Sequence, residues 1–107
     1  MSDTGQQHIT IEDDGRPVAH ADLKPSVDSD TVQASMHVES GHLPTGTRTR
    51  LVDAVIDRAA ALRAERLQAC LPAGDGEILD RLRERCTELD ARAAGASCLV
   101  DAPLSAE

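Results

Sequence analysis

The chain has 107 residues and a formal net charge of −8, from 11 Lys and Arg against 19 Asp and Glu, and it contains no Phe, Tyr or Trp. That length fits one domain, and its core must be aliphatic, without the roughly 150–250 Å² that each aromatic ring buries. The charge balance rules out a phosphate-neutralising basic stripe and the missing rings rule out a base-stacking platform, so nucleic acid is not an expected partner.

The opening residues, MSDTGQQHIT, have neither a basic start nor an apolar run. No stretch approaches the roughly 18 apolar residues of a bilayer span. The expectation is a cytoplasmic protein with no membrane partner, and residues 1–7 are expected to be disordered. Residues 8–12 (HITIE) alternate, residues 13–16 (DDGR) turn, and residues 17–23 (PVAHADL) extend again. Asp14-Gly15 tolerates the positive φ angles of a type I′ turn, so the segment reads as a β-hairpin. Residues 24–30 (KPSVDSD) carry Pro, Ser and Asp and form a connector. From residue 31 to 39, Val32, Ala34, Met36 and Val38 alternate with Gln33, Ser35, His37 and Glu39, the period of a half-buried strand.

After a Gly- and Pro-containing loop, a helix stripe begins at Thr47 with Leu51, Val52, Val55, Ile56, Ala59 and Leu62, and is expected to end near Glu65. Thr45 or Thr47 would cap its first turn. Residues 66–71 (RLQACL) alternate as a strand. Asp75 then caps a second helix with the stripe Ile78, Leu79, Leu82, Cys86 and Leu89, closed by Gly95, and with Glu77–Arg81 and Asp80–Arg83 pairs on its outer side. Residues 97–101 (SCLVD) suit a last buried strand, and residues 102–107 read as a C-terminal tail.

The element order over residues 8–101 is thus β-β-β-α-β-α-β, one α/β (α+β) domain with a mixed sheet, an N-terminal hairpin and two helices packed on the sheet. Right-handed crossovers imply parallel pairing in both strand–helix–strand units. A ferredoxin-like sandwich uses similar elements and differs in strand order.

One junction has a chemical use. Where the strand at 31–39 feeds the helix at 47, unpaired backbone amides gather at the positive end of the helix dipole, a geometry that attracts phosphates. The residues are Glu39, Ser40, Gly41, His42, Leu43, Pro44, Thr45, Gly46, Thr47 and Arg48. They match neither a GxGxxG fingerprint nor a P-loop. The element order and the segment TVQASMHVESGHLPTGTRTRLVDAVID resemble the GNAT acetyltransferase superfamily over roughly the last two thirds of the chain. In that family a strand closing on Val leads into a loop Gln/Arg-x-x-Gly-x-Gly/Ala whose amides hold the acetyl-CoA pyrophosphate. On this sequence Val38 matches the closing Val, Leu43 stands at the Gln/Arg position, Gly46 on the first motif Gly and Arg48 on the second Gly/Ala. The resemblance implies an acetyl-CoA site formed by Gly41, His42, Leu43, Thr45, Gly46, Thr47 and Arg48, with residues 66–71 as the next strand, splayed to admit pantetheine. It also implies N-acyl transfer to an amine. The family's usual Tyr acid is missing, so Cys98, a His or a Glu would replace it.

Glu39, at the strand's end beside that loop, is placed to take a proton from a substrate amine, and His37 shares its face. His8, His20, His37 and His42 are dispersed, with no zinc spacing, so no metal site is expected. Cys70, Cys86 and Cys98 are odd in number and lie in apolar patterns, which points to free thiols. The rival reading is a non-catalytic interaction or oligomerisation module, with a degenerate acyl-CoA pocket and a homo-oligomeric or protein partner covering the thin core.

Overall fold

The computed structural model describes residues 7–25, 30–39, 45–86 and 88–104. In chain order the elements are β1 (Gln7–Asp13), β2 (Arg16–Pro25), β3 (Thr31–Val38), α1 (Thr47–Ala61), β4 (Arg66–Pro72), α2 (Gly76–Arg85), β5 (Asp90–Ala94) and β6 (Ser97–Pro103). The first two strands pair antiparallel through Asp14 and Gly15, whose φ angles of 57° and 77° are those of a type I′ turn. A bulge follows. Ile11 opposes Ala19 while Glu12 opposes Pro17, so Val18 is an extra residue, and the neighbours Val18 and Ala19 are both buried against the alternation.

The sheet order is β1-β2-β3-β4-β6-β5. β3 pairs parallel with β4 through the α1 crossover, as expected, and β1, β2 and β3 form an antiparallel meander. The end of the sheet differs from the sequence expectation. α2 stops at Arg85, Cys86 is extended (φ −117°, ψ 127°), and residues 90–94 form a strand where the sequence pattern continues the helix toward Gly95. Gly95 instead heads the β5–β6 hairpin. The added strand lets β6 return antiparallel to β4, so the second parallel pairing does not form. The residues LDARAA favour helix by intrinsic propensity, and pairing with β6 overrides that preference. β6 also runs to Pro103, with Ala102 fully buried, two residues past the expected boundary. A ferredoxin-like strand order is not what the chain adopts.

α1 ends at Ala61 rather than near Glu65. Arg63 takes the left-handed conformation (φ 63°), and the amides of Leu62, Arg63 and Ala64 fold back on carbonyls of residues 58–60. At its other end the N-cap is Gly46, at φ 88° and without a side-chain cap, so neither Thr45 nor Thr47 plays the expected role. Thr47 is instead buried, 1% exposed.

Both helices lie on one face of the sheet. Leu51, Val52, Val55, Ile56 and Ala59 of α1 and Ile78 and Leu82 of α2 join the inward side chains of every strand but β5 in one aliphatic core. α1 and α2 are laced by arginines. Arg81 donates to both carboxylate oxygens of Asp53 at 3.0 Å, and Arg85 donates to Asp53 and Asp57 at 2.8 and 3.2 Å. The expected bridges within α2 yield to these: Arg81 turns to Asp53 and Glu84, while Glu77 meets Arg48 of α1. The opposite face of the sheet carries His8, His20, His37, Gln33, Ser35 and Gln68, and no helix among the described residues covers it. No helix among them is long and apolar enough to cross a membrane.

Candidate functional site

The parallel pairing of β3 with β4 runs from Thr31–Arg66 to Ser35–Cys70 and stops, although β3 continues to Val38 and β4 to Pro72. Pro72 gives a local reason, since it has no N–H with which to prolong the ladder. Beyond Ser35 the strands part. The Glu39 amide donates to the Val18 carbonyl on β2 at 2.9 Å. The Met36 amide makes the last rung, on the Cys70 carbonyl, and beyond it the Met36 carbonyl, which Pro72 has no N–H to meet, and the Val38 amide face the β4 side, into the gap. A cleft of about 420 Å³ opens there, lined by Val38, Glu39, Arg48, Pro72, Asp75 and Glu77. The resemblance implies a splay for residues 66–71, and the strands part only past Cys70.

The first turn of α1 borders the cleft. Gly46, in the left-handed region with open space where a Cβ would stand, leads into Thr47 and Arg48, and the Arg50 amide closes the first helical turn on the Gly46 carbonyl at 2.9 Å. Thr45, Gly46, Thr47 and Arg48 also line a hollow of about 370 Å³ facing α2. Gly41, His42 and Leu43, the other proposed cofactor-binding residues, lie outside the described residues.

Arg48 is already engaged. Its Nε donates to both oxygens of Asp75 at 2.9 and 2.8 Å, and Nη1 lies 3.3 Å from Glu77. The bond to Asp75 raises the Arg48 pKa. Asp75 also accepts from the Ile78 amide at 3.3 Å, so one carboxylate caps α2 and holds the cation at the start of α1. Glu77, Asp80 and Glu84 line the α2 side of the hollow. An anion arriving at α1 meets favourable amides and dipole, but its arginine is shared with carboxylates.

Of the two proposed catalytic residues, Glu39 lines the same cleft as that contact and His37 lies away from it. His37 projects from the helix-free face of β3, and its ring stacks on His20 at 4.8 Å. His20 stacks in turn on His8 at 5.6 Å, and His8 Nδ1 lies 2.5 Å from Asp22. That bond is the largest cause of a lowered Asp22 pKa. Along the sequence these histidines are dispersed. The available cue is that each occupies the polar phase of an alternating strand, and the hairpin register (His20 opposite His37, His8 opposite Asp22) brings them into one row. Among the described residues no group of three or more His, Cys, Asp or Glu is placed to hold a metal. Glu39 is exposed at the mouth of the cleft.

A second depression, about 650 Å³, runs along the helix-free face beside the β3–β4 seam and includes Ser35, Gln68, Cys70, Arg92, Leu99 and Asp101. Arg66 bridges Asp101 at its end at 2.7 Å. All three cysteines are free thiols; Cys70 and Cys98 are half-buried, and burial pushes the Cys86 thiol up.

No family model matches the chain, and no curated protein matches it in sequence. Solved structures do match in fold. A GNAT-family acetyltransferase from Streptococcus pneumoniae superposes with a TM-score of 0.69 at 12% identity, over 94% of this chain and 67% of that one. A GNAT-superfamily phosphinothricin acetyltransferase from Sinorhizobium meliloti, solved with AcCoA, gives 0.69 at 14% identity, over 94% and 62%. N-acetylglutamate synthase from Neisseria gonorrhoeae, complexed with coenzyme A and N-acetyl-glutamate, gives 0.67 at 21% identity, over 92% of this chain and 26% of that one. The chain therefore has a GNAT-like fold, and it spans about two thirds or less of the length of these proteins.

Proposed function

We propose that this GNAT-like domain binds an acyl-CoA, with acetyl-CoA the simplest candidate, in the cleft between β3 and β4 and serves N-acyl transfer to an amine. The single observation that carries the reading is the early end of the parallel ladder at Ser35–Cys70, which leaves the β3 edge from the Met36 carbonyl to Val38 without a strand partner, with Val38 lining a cleft beside a helix N-terminus. An extended pantetheine arm, with its two amides, fits such an edge as an added strand would. Thr45, Gly46, Thr47 and Arg48 would meet the pyrophosphate, together with Gly41, His42 and Leu43 of the adjoining loop. Bound acetyl-CoA supplies a thioester carbonyl. The Glu39 carboxylate, at the cleft mouth, would take the proton of the attacking amine, and His37 on the neighbouring open face is the alternative base.

Titration of ¹⁵N-labelled protein with acetyl-CoA tests the binding half. Saturable shifts are expected at Met36, Val38, Gly46, Thr47 and Arg48, and an unperturbed spectrum there would end the proposal. Thiol release with an amine panel tests the transfer half: Glu39→Gln should keep the binding shifts and lose turnover by about 10²-fold or more. A second reading, a non-catalytic module with a degenerate pocket, draws on the Arg48–Asp75 bridge, which occupies the arginine that lines the cleft. It predicts no thiol release with any amine, whether or not the shifts appear.

A further inference from the structure

We infer that a second copy of this chain docks along β5, continuing the sheet across a two-fold axis at Ala91. β5 is the last strand of the sheet, and each of its residues is exposed. Exposed edges invite pairing and are usually blunted by isolated charges. Here the charges are self-complementary. Asp90 and Arg92 project on the same face, and neither makes an ion pair within the chain among the described residues. Asp90 stands opposite Asp101, a like charge that Arg66 already holds.

The hairpin determines which backbone groups face the edge. Ala94 and Ser97 close a two-residue turn headed by Gly95 at φ 64°, with Gly at the first central position as a type II′ turn requires. The closing pair of such a turn is hydrogen-bonded, and bonded and non-bonded pairs alternate from there. Arg92–Leu99 and Asp90–Asp101 are therefore bonded inward, and the N–H and C=O groups of Ala91 and Ala93 point outward.

In an isologous antiparallel pairing only residues of equal phase oppose each other, so the two-fold passes through a residue position. Centred on Arg92, it sets Arg92 against itself; centred on Asp90, it sets Asp90 against itself within the strand, and Arg92 reaches only Glu88, which lies outside β5. Centred on Ala93, it sets Arg92 against Ala94 and leaves both charges unmatched. Centred on Ala91, it sets Asp90 against the second copy's Arg92, twice by symmetry. Ala91 then bonds its own counterpart and Leu89 lies over the small side chain of the second copy's Ala93. Opposite charges stabilise such cross-strand positions and like charges destabilise them, so the charge pattern selects this register.

Sedimentation equilibrium from the micromolar to the millimolar range tests the interface, with far-UV dichroism as the check on folding. The wild type should reach the mass of two chains, and the amides of Ala91 and Ala93 should exchange more slowly as concentration rises. Arg92→Asp and Asp90→Arg should each raise the dimer dissociation constant by about tenfold or more, since each creates two like-charge pairs. The double exchange, Asp90→Arg with Arg92→Asp, should restore it. A wild type that stays monomeric, single variants that dimerise as the wild type does, or a double exchange that fails to recover would each overturn the inference.

Discussion

Asp53 stands beside the apolar stripe of α1, where sequence periodicity assigns it to solvent. In the folded chain its carboxylate accepts two parallel bonds from Arg81, at 3.0 Å each, and a third from Arg85 at 2.8 Å. The Arg81 bond is the largest cause holding its carboxyl below the usual range. A carboxyl whose pKa is lower folded than unfolded contributes stability that is complete above the unfolded value, near 4, and is lost as pH falls through the folded one. Asp53→Asn keeps one acceptor oxygen and loses the charge. The Asp53 side chain is 32% exposed. With solvent screening the pair, the cost at pH 7 should be about 1 kcal/mol. Urea unfolding of wild type and variant at pH 7, 5 and 3 checks the sign: the gap should hold from 7 to 5 and narrow toward 3. A gap that does not change with pH would mean that shape, not charge, carries the contact.

The bridge between α1 and α2 at Arg48–Asp75 ties the candidate anion site to the cap of the neighbouring helix. Asp75 does two separable things, accepting from the Ile78 amide and holding the Arg48 guanidinium. Asp75→Asn keeps a good cap and removes the charge, whereas Asp75→Ala removes both and should cost about 1 kcal/mol of stability. If the pyrophosphate lies at the start of α1, Asp75→Asn should tighten acetyl-CoA binding by roughly five- to tenfold, because Arg48 no longer exchanges one anion for another. Calorimetry would read this directly, and an unchanged dissociation constant would place the anion elsewhere. The same residues explain what is legible in the sequence. The β3 alternation, the α1 stripe and the Asp14-Gly15 turn are local patterns, and they locate the junction. The engagement of Arg48 depends on a partner 27 positions away, and the row of His8, His20 and His37 depends on strand register, so neither has a local signature. β5 is hidden for the opposite reason: residues 89–94 carry a local signal, Ala and Arg at helical spacing, that points to the wrong element.

Over the whole molecule, a net charge of −8 in a body about 39 × 32 × 30 Å sets a field that opposes an anionic ligand before any contact forms. The two arginines that line the hollow at the start of α1, Arg48 and Arg81, are bonded to carboxylates. Salt then acts in an unusual direction. A site built on uncommitted cations loses affinity for phosphates as ionic strength rises. Here the long-range term is repulsive and reaches across the protein at low salt, where the screening length is about 30 Å at 0.01 M, but not at 0.15 M, where it is about 8 Å. The Arg48–Asp75 bridge, with the Asp75 side chain only 9% exposed, is screened much less, so the long-range term decides the sign. The acetyl-CoA association rate and affinity should therefore hold or increase between those two salt concentrations, by about two- to threefold, with most of the change in the association rate. Stopped-flow and calorimetric titrations at both concentrations give the answer, and a steep fall in affinity with salt would mean that uncommitted cations, outside the Arg48 and Arg81 pairs, hold the phosphates.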